Sequence, residues 1–155
     1  FTEAVFDLLG DRSAHQQAGA LKPGEQQFFV SGFFLVSPSG AEHQLVAERG
    51  FPTEQHRLRI PIELGHPGWV FVHQTPLLLA NTDEHADFKQ ILKSARMGSA
   101  MYAPMLWRGE FLGQFIMAAQ ARNTFAEADL EILCAMSGMA TTALVASGGA
   151  ARLFS

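Results

Sequence analysis

Cys134 is the only cysteine in this chain and its six histidines are scattered, so its capacity for nucleophilic or metal chemistry is small. A single thiol excludes an internal disulfide, a paired-cysteine zinc site and a two-cysteine redox cycle. Cys134 lies between Leu133 and Met136 in an apolar stretch, where burial raises a thiol's pKa and leaves it inert. His66 and His73 share a face of any helix that includes both, but no third ligand accompanies them. Gly65-His66-Pro67-Gly68 offers amides at a helix start, an arrangement able to hold an anion, and reads more simply as a turn followed by a helix. No Ser/His/Asp set, catalytic carboxylate pair or Walker-type loop is present, so an enzyme reading has no residues to rest on. Trp69, Tyr102 and Arg96 remain, and these are residue types suited to binding.

These residues need elements to place them. Ala4, Val5, Leu8 and Leu9 recur at i, i+1, i+4 and i+5, which predicts a short amphipathic helix over residues 2–9. Residues 10–25 are polar with Gly and Pro and read as a loop or irregular helix. Residues 28–37 are rich in Phe and Val, Pro38-Ser39-Gly40 is a turn and residues 43–48 return, so a β-hairpin is expected. Residues 50–64 show no clear period. Pro67 suits the first position of a short helix carrying Trp69, Val70 and His73, and residues 76–80 form a brief apolar strand.

Thr82 is placed to N-cap a helix in which Phe88, Ile91, Leu92 and Ala95 recur at i, i+3, i+4 and i+7, with Gly98 as its left-handed stop. Residues 99–106 and 111–120 flank a tight turn at Arg108-Gly109, a second hairpin. Alternation along residues 99–104 sends Ala100 and Tyr102 to one face and Met101 and Ala103 to the other. Thr124-Phe125-Ala126-Glu127 matches a capping box that opens the last helix. Leu133, Met136, Ala140 and Leu144 form one stripe of that helix; Ile132, Met139 and Ala143 widen it beyond the need of one sheet face.

With 155 residues, 48% hydrophobic and 17% charged, the chain suits one globular domain. A net charge of −4 without a run of Lys or Arg argues against nucleic-acid binding, which needs a basic face. The most apolar region, residues 130–146, is interrupted by Glu131, Ser137, Gly138, Thr141 and Thr142. It falls short of the roughly 20 apolar residues of a span, so no membrane insertion is expected. A start at Phe1 without a signal-like core suggests a domain cut from a longer cytoplasmic protein. The low-complexity tail from Ala146 to Ala151 reads as the beginning of a linker, giving a domain over 1–146 and a linker over 147–155.

One ordered series of motifs covers nearly the whole chain: Gly65-His66-Pro67-Gly68-Trp69-Val70, then Thr75-Pro76-Leu77-Leu78-Leu79-Ala80-Asn81-Thr82, then residues 95–113, then Phe125 to Leu133. That series resembles the GAF family of small-molecule sensor domains. The resemblance implies an α+β fold, a central antiparallel sheet of five to six strands. Terminal helices cover one face, and a helix/loop lid covers a pocket on the other. It implies that Ala100 and Tyr102 face the pocket beside Ile116 and Ala118, that Phe88, Met97 and Trp69 line it, and that Asn81, Asp83 and Arg96 add polar contacts from the ends of the lid.

Relatives that reduce free methionine sulfoxide place cysteines near the pocket and acids on its strands, whereas Ala100, Ile116 and Ala118 stand here. Bilin attachment lacks a cysteine in residues 65–98, and the cyclic-nucleotide pattern is not met, since Asn81 is followed by Thr82. The expectation is therefore a non-enzymatic regulatory domain that binds an unidentified small molecule, with no cofactor indicated. It pairs as a homodimer through its terminal helices and signals to a downstream output domain. A ligand-free dimerisation or interaction module is the alternative with the same fold, and the two differ in whether an enclosed cavity with convergent polar groups exists.

Overall fold

A computed structural model describes residues 1–92 and 96–154, the Arg152 side chain excepted. The chain opens with helix α1 (Thr2–Leu8), continues through strands β1 (Phe29–Val36), β2 (Glu42–Arg49) and β3 (Arg59–Pro61), and enters helix α2 (Gly65–His73). Strands β4 (Leu77–Leu79), β5 (Ser99–Trp107) and β6 (Glu110–Ala119) follow, then helix α3 (Glu127–Ala146) and the short helix α4 (Ala151–Phe154). The six strands form one sheet in the order β3-β2-β1-β6-β5-β4, with every pairing antiparallel. This is the α+β architecture expected, with six strands. The aperiodic stretch after Gly50 hid β3, an edge strand of three residues whose Ile60 pairs with His43.

Both hairpins form as the alternation required. Arg108 and Gly109 have φ of 50° and 81°, the two positive values of a turn whose twist matches the flanking strands. Trp107 accordingly pairs with Glu110. Alternation then sorts the sheet into two cores. Met101, Ala103, Met105, Phe115 and Met117 face the terminal helices and pack with Val5, Leu9, Leu130 and Leu133. Ala100, Tyr102, Ile116 and Ala118 face the other way and pack with Val70, Phe88, Leu92 and Met97. Covered on both faces, β1 is buried from Val30 through Leu35, which explains its nearly continuous apolar sequence.

Three local expectations are corrected. The helix expected after Thr82 is one 3₁₀ turn, Thr82–Glu84, and residues 85–92 are not helical; Ala95 lies outside the described residues. Asn81 caps this turn by accepting from the Asp83 amide at 3.0 Å. The Thr82 hydroxyl instead donates to the Met97 carbonyl at 2.7 Å, so the segment is tied to its own far end while Phe88 and Leu92 turn inward. Gly98 is not left-handed, because its φ is not among the positive values. Its need for glycine is steric: a Cβ there would lie 2.2 Å from the Gln120 carbonyl oxygen. Pro67 is the third residue of α2 rather than the first, a position where the missing N–H still removes no helical bond.

The last helix begins two residues beyond the anticipated cap, after Ala126. Asp129, not Glu127, reaches back, its Oδ2 accepting from the Ala126 amide at 2.9 Å and its Oδ1 from the Gly10 amide at 3.0 Å. Thr124 uses its hydroxyl to donate to the Ala121 carbonyl at 2.8 Å. A side chain that ties α1's end to α3's start outcompetes a purely local box, because it satisfies one orphan amide on each segment.

With 20 residues, α3 is long and apolar enough to cross a membrane by length and composition, more than the count of interrupting residues suggested. Here Leu130, Leu133, Ser137, Ala140 and Thr141 lie packed on the sheet.

Candidate functional site

The expected pocket lies between β1, β6 and the cover formed by residues 82–92 with Arg96 and Met97. Val30, Ile116 and Ala118 form its floor, and Phe51, Phe88, Ile91, Leu92 and Met97 close over them. The enclosed space is about 30 Å³, room for about one water and far below the several hundred Å³ of a small-molecule site. Of the residues named for the site, Phe88, Met97, Ile116 and Ala118 line this cavity. Ala100 and Tyr102 share the same core but are packed solid beside it. Tyr102 is 3% exposed, and burial pushes its phenol far above the usual range.

Four further residues named for the site lie outside the lining of this cavity. Trp69 is 38% exposed on the outer side of α2 and stacks on His73 at 4.2 Å between ring centroids. Asn81 caps its 3₁₀ turn. Arg96 donates to the Thr82 carbonyl at 3.2 Å and lies 4.7 Å above the Phe88 ring, clamping the cover from outside. Asp83 turns away from the cavity toward Arg122, whose Nε donates to it at 3.0 Å.

Arg122, which the sequence reading did not single out, is the centre of this polar group. It is 2% exposed and bonds Asp83, Glu25 and the Ala20 carbonyl. Burial alone would lower its pKa, but the bonds to Asp83 and Glu25 outweigh burial and raise it. Those from Arg122 and Lys22 hold the Asp83 carboxyl below its ordinary value, against a smaller opposing effect of burial. Gln120 joins the group by donating to the Arg96 carbonyl at 2.7 Å and to Glu25 at 2.9 Å. An open polar groove of about 470 Å³ runs past Glu25, Gln90, Arg96 and Gln120. It adjoins the closed cavity, because Phe28 and Gln120 continue the sheet positions of Val30 and Ala118.

A second polar pair lies beneath α2. Gln114 and His43 are both fully buried, ringed by Phe34, Phe71 and Phe111. Extending the alternation of Ile116 and Ala118 back by two residues lands on Gln114, so a polar residue at an inward position was the available signal. His66 and His73 share α2 without meeting: His66 packs against His85 and Phe88 with Asp87 at 3.8 Å, while His73 is exposed. Among the described residues no three His, Cys, Asp or Glu are grouped to hold a metal. Cys134 lies half-buried on α3, in the core on the far side of the sheet from the cavity, its thiol pushed up by burial and by Glu131.

The outer face of α3 is unusual in a different way. Ile132, Ala135, Met139, Thr142 and Ala146 are all exposed at alternating spacings of three and four, the repeat of a helix-pairing seam. No charged residue occurs from Ile132 through Ala151. Beside this face an open apolar groove of about 380 Å³ runs between Phe33, Leu35, Met105, Ala140 and Leu144. Leu153 borders it, held where Arg57 donates to its carbonyl at 2.9 Å.

A six-stranded antiparallel sheet with terminal helices on one face and an irregular cover over a cavity on the other defines an α+β domain of GAF-like architecture. The profile of the GAF domain family matches residues 9–144, and the chain belongs to that family. GAF domains are commonly regulatory sensor domains of signalling proteins. The structure is similar to the GAF domain of a phosphoenolpyruvate-protein phosphotransferase from Acinetobacter, at 18% identity over 77% of this chain and 74% of that one, with a TM-score of 0.66. It is similar to a type II free methionine-R-sulfoxide reductase from Thermoplasma acidophilum at 16% identity, covering 73% and 76%, with a TM-score of 0.64. It is also similar to the second GAF domain of DevS from Mycobacterium smegmatis at 18% identity, covering 95% and 96%, with a TM-score of 0.59. A comparison with curated proteins yields no match.

Proposed function

We propose that this GAF domain is a non-enzymatic, cytoplasmic regulatory module that pairs with a second copy through α3 and reports the state of its cover to an output domain of the full-length protein. The observation that carries this reading is the uncharged, exposed seam on α3, where Ile132 and Met139 are 48% and 59% exposed. Burying such a seam against its own copy removes large apolar side chains from water, and the small residues between them let two backbones approach. The seam from Ile132 to Ala146 is about 21 Å long at the rise of an α-helix. Sedimentation equilibrium at tens of micromolar should give a dimer that Met139→Glu dissociates without loss of helical signal. A monomer throughout the range would overturn the pairing.

Ligand sensing is the second half of the reading. The cavity floor of Val30, Ile116 and Ala118 suits an apolar group, and the adjoining groove at Gln90, Arg96 and Gln120 suits a polar one. A ligand enters only if Phe88, Leu92 and Met97 move, since the closed space is about 30 Å³. That small volume equally favours a ligand-free interaction module. A thermal-shift screen of metabolites separates the two: a hit whose effect disappears in a cover variant supports sensing, and none across a broad set supports the ligand-free module. The non-enzymatic part of the proposal is supported by the sole cysteine lying in the opposite core and by Ala100, Ile116 and Ala118 at the pocket strands.

A further inference from the structure

We infer that the Asp83–Arg122 ion pair is a latch that makes opening of the cover and loosening of the start of α3 a single event, an inference that rests on the relay reading above. Asp83 belongs to the first turn of the cover, and Arg122 belongs to the connector between β6 and α3. Nε of Arg122 donates to Asp83 Oδ2 at 3.0 Å, and the neighbouring Asn123 amide donates to the Ala80 carbonyl at 2.7 Å, just before the cover begins. The connector is thus bonded to the cover's origin at two successive residues.

The same connector is bonded to the segment before β1 and to the chain just past α1. Its Ala121 amide donates to Gln27 Oε1 at 2.9 Å, and the Asp11 amide, just past α1, donates to the Thr124 carbonyl at 2.8 Å. Asp129 in the first turn of α3 holds the Ala126 and Gly10 amides. Among the described residues no other charged side chain is so buried: Arg122 is 2% exposed, whereas the Asp83 side chain is 32% exposed. The exposed partner is the one able to leave, and its departure strips a buried guanidinium of one of its two carboxylates. Removing one partner of a buried charge costs more than the bond itself, because the remaining charge is left uncompensated. The connector must then shift to rehydrate Arg122, and α3 shifts with it.

Glu25 remains bonded to Arg122 when Asp83 leaves, so the guanidinium keeps one carboxylate while the connector shifts. Gly98 keeps the path open, since a Cβ there would also crowd Arg122 Cδ at 3.1 Å.

The test needs no ligand. Amide hydrogen–deuterium exchange of the whole chain is compared for the native sequence, Asp83→Asn and Asn81→Ala; the last removes the cap of the 3₁₀ turn but leaves both charges. Asp83→Asn should speed exchange about tenfold, from loss of the charge that strengthens the bond to Arg122, both in residues 82–92 and in residues 121–131. Asn81→Ala should affect only residues 82–85. Faster exchange confined to the cover in Asp83→Asn, or equal loosening of 121–131 by Asn81→Ala, would each overturn the latch. A metabolite screen without hits bears on ligand sensing and leaves this result standing, so the two can fail separately.

Discussion

Gln114 Nε2 lies 2.9 Å from His43 Nε2 and 2.9 Å from the carbonyl oxygen of Pro67. The Pro67 carbonyl can only accept, so this atom of Gln114 is the amide nitrogen, and it must also donate to His43. His43 is therefore neutral, with its proton on Nδ1, an atom without a partner, as is Gln114 Oε1. The pair fastens the first turn of α2 to the middle of the sheet at the cost of two unsatisfied polar atoms.

Acid should undo this fastening. Burial lowers the His43 pKa from 6.5 to about 4, so between those values the unfolded chain binds a proton that the folded chain refuses. Stability is then full above pH 6.5 and declines as pH falls toward 4, by roughly 3 kcal/mol from this residue at 1.36 kcal/mol per unit. His66, lowered mainly by burial, contributes in the same direction. Urea titrations across this range should show the decline, and His43→Leu should flatten most of it while lowering stability at neutral pH. An unchanged slope in that variant would place the titration elsewhere.

Met97 is 6% exposed and roofs the closed cavity. Met97→Ala should cost about 2–5 kcal/mol, the range for truncating a buried side chain that leaves a void. The enlarged apolar space should then take up benzene, read as a rise in melting temperature absent from the native chain. A variant destabilised by less than about 1 kcal/mol would mean that the cover collapses to refill the space.

Asp129→Ala removes the acceptor for two backbone amides, one from Ala126 and one from Gly10. A loss of about 1–3 kcal/mol is expected, at least that of an ordinary cap, because α1 is released along with the α3 terminus. Glu127→Ala, at the position the local motif favoured, should cost less than about 0.5 kcal/mol. Denaturant midpoints of the two variants decide between the caps, and the reverse order would restore the Thr124 box.

The strand pattern apart from β3, both hairpins, the division of residues 99–119 between two faces and the family were legible in the chain alone. Side-chain alternation has a fixed period of two and needs no tertiary knowledge, so Ala100, Tyr102, Ile116 and Ala118 could be assigned to one face together. The cover was not legible. Phe88 and Leu92 have helical spacing, yet a hydroxyl of Thr82 bonded to Met97 and a cavity in need of filling decide its path. Arg122, Asp83 and Glu25 are separated by up to 97 residues in the chain, and nothing local marks them as partners. Periodic order comes from the backbone and is written in the sequence; the closure of the cavity and the pairing of buried charges depend on which distant surfaces meet, and only the folded chain decides that.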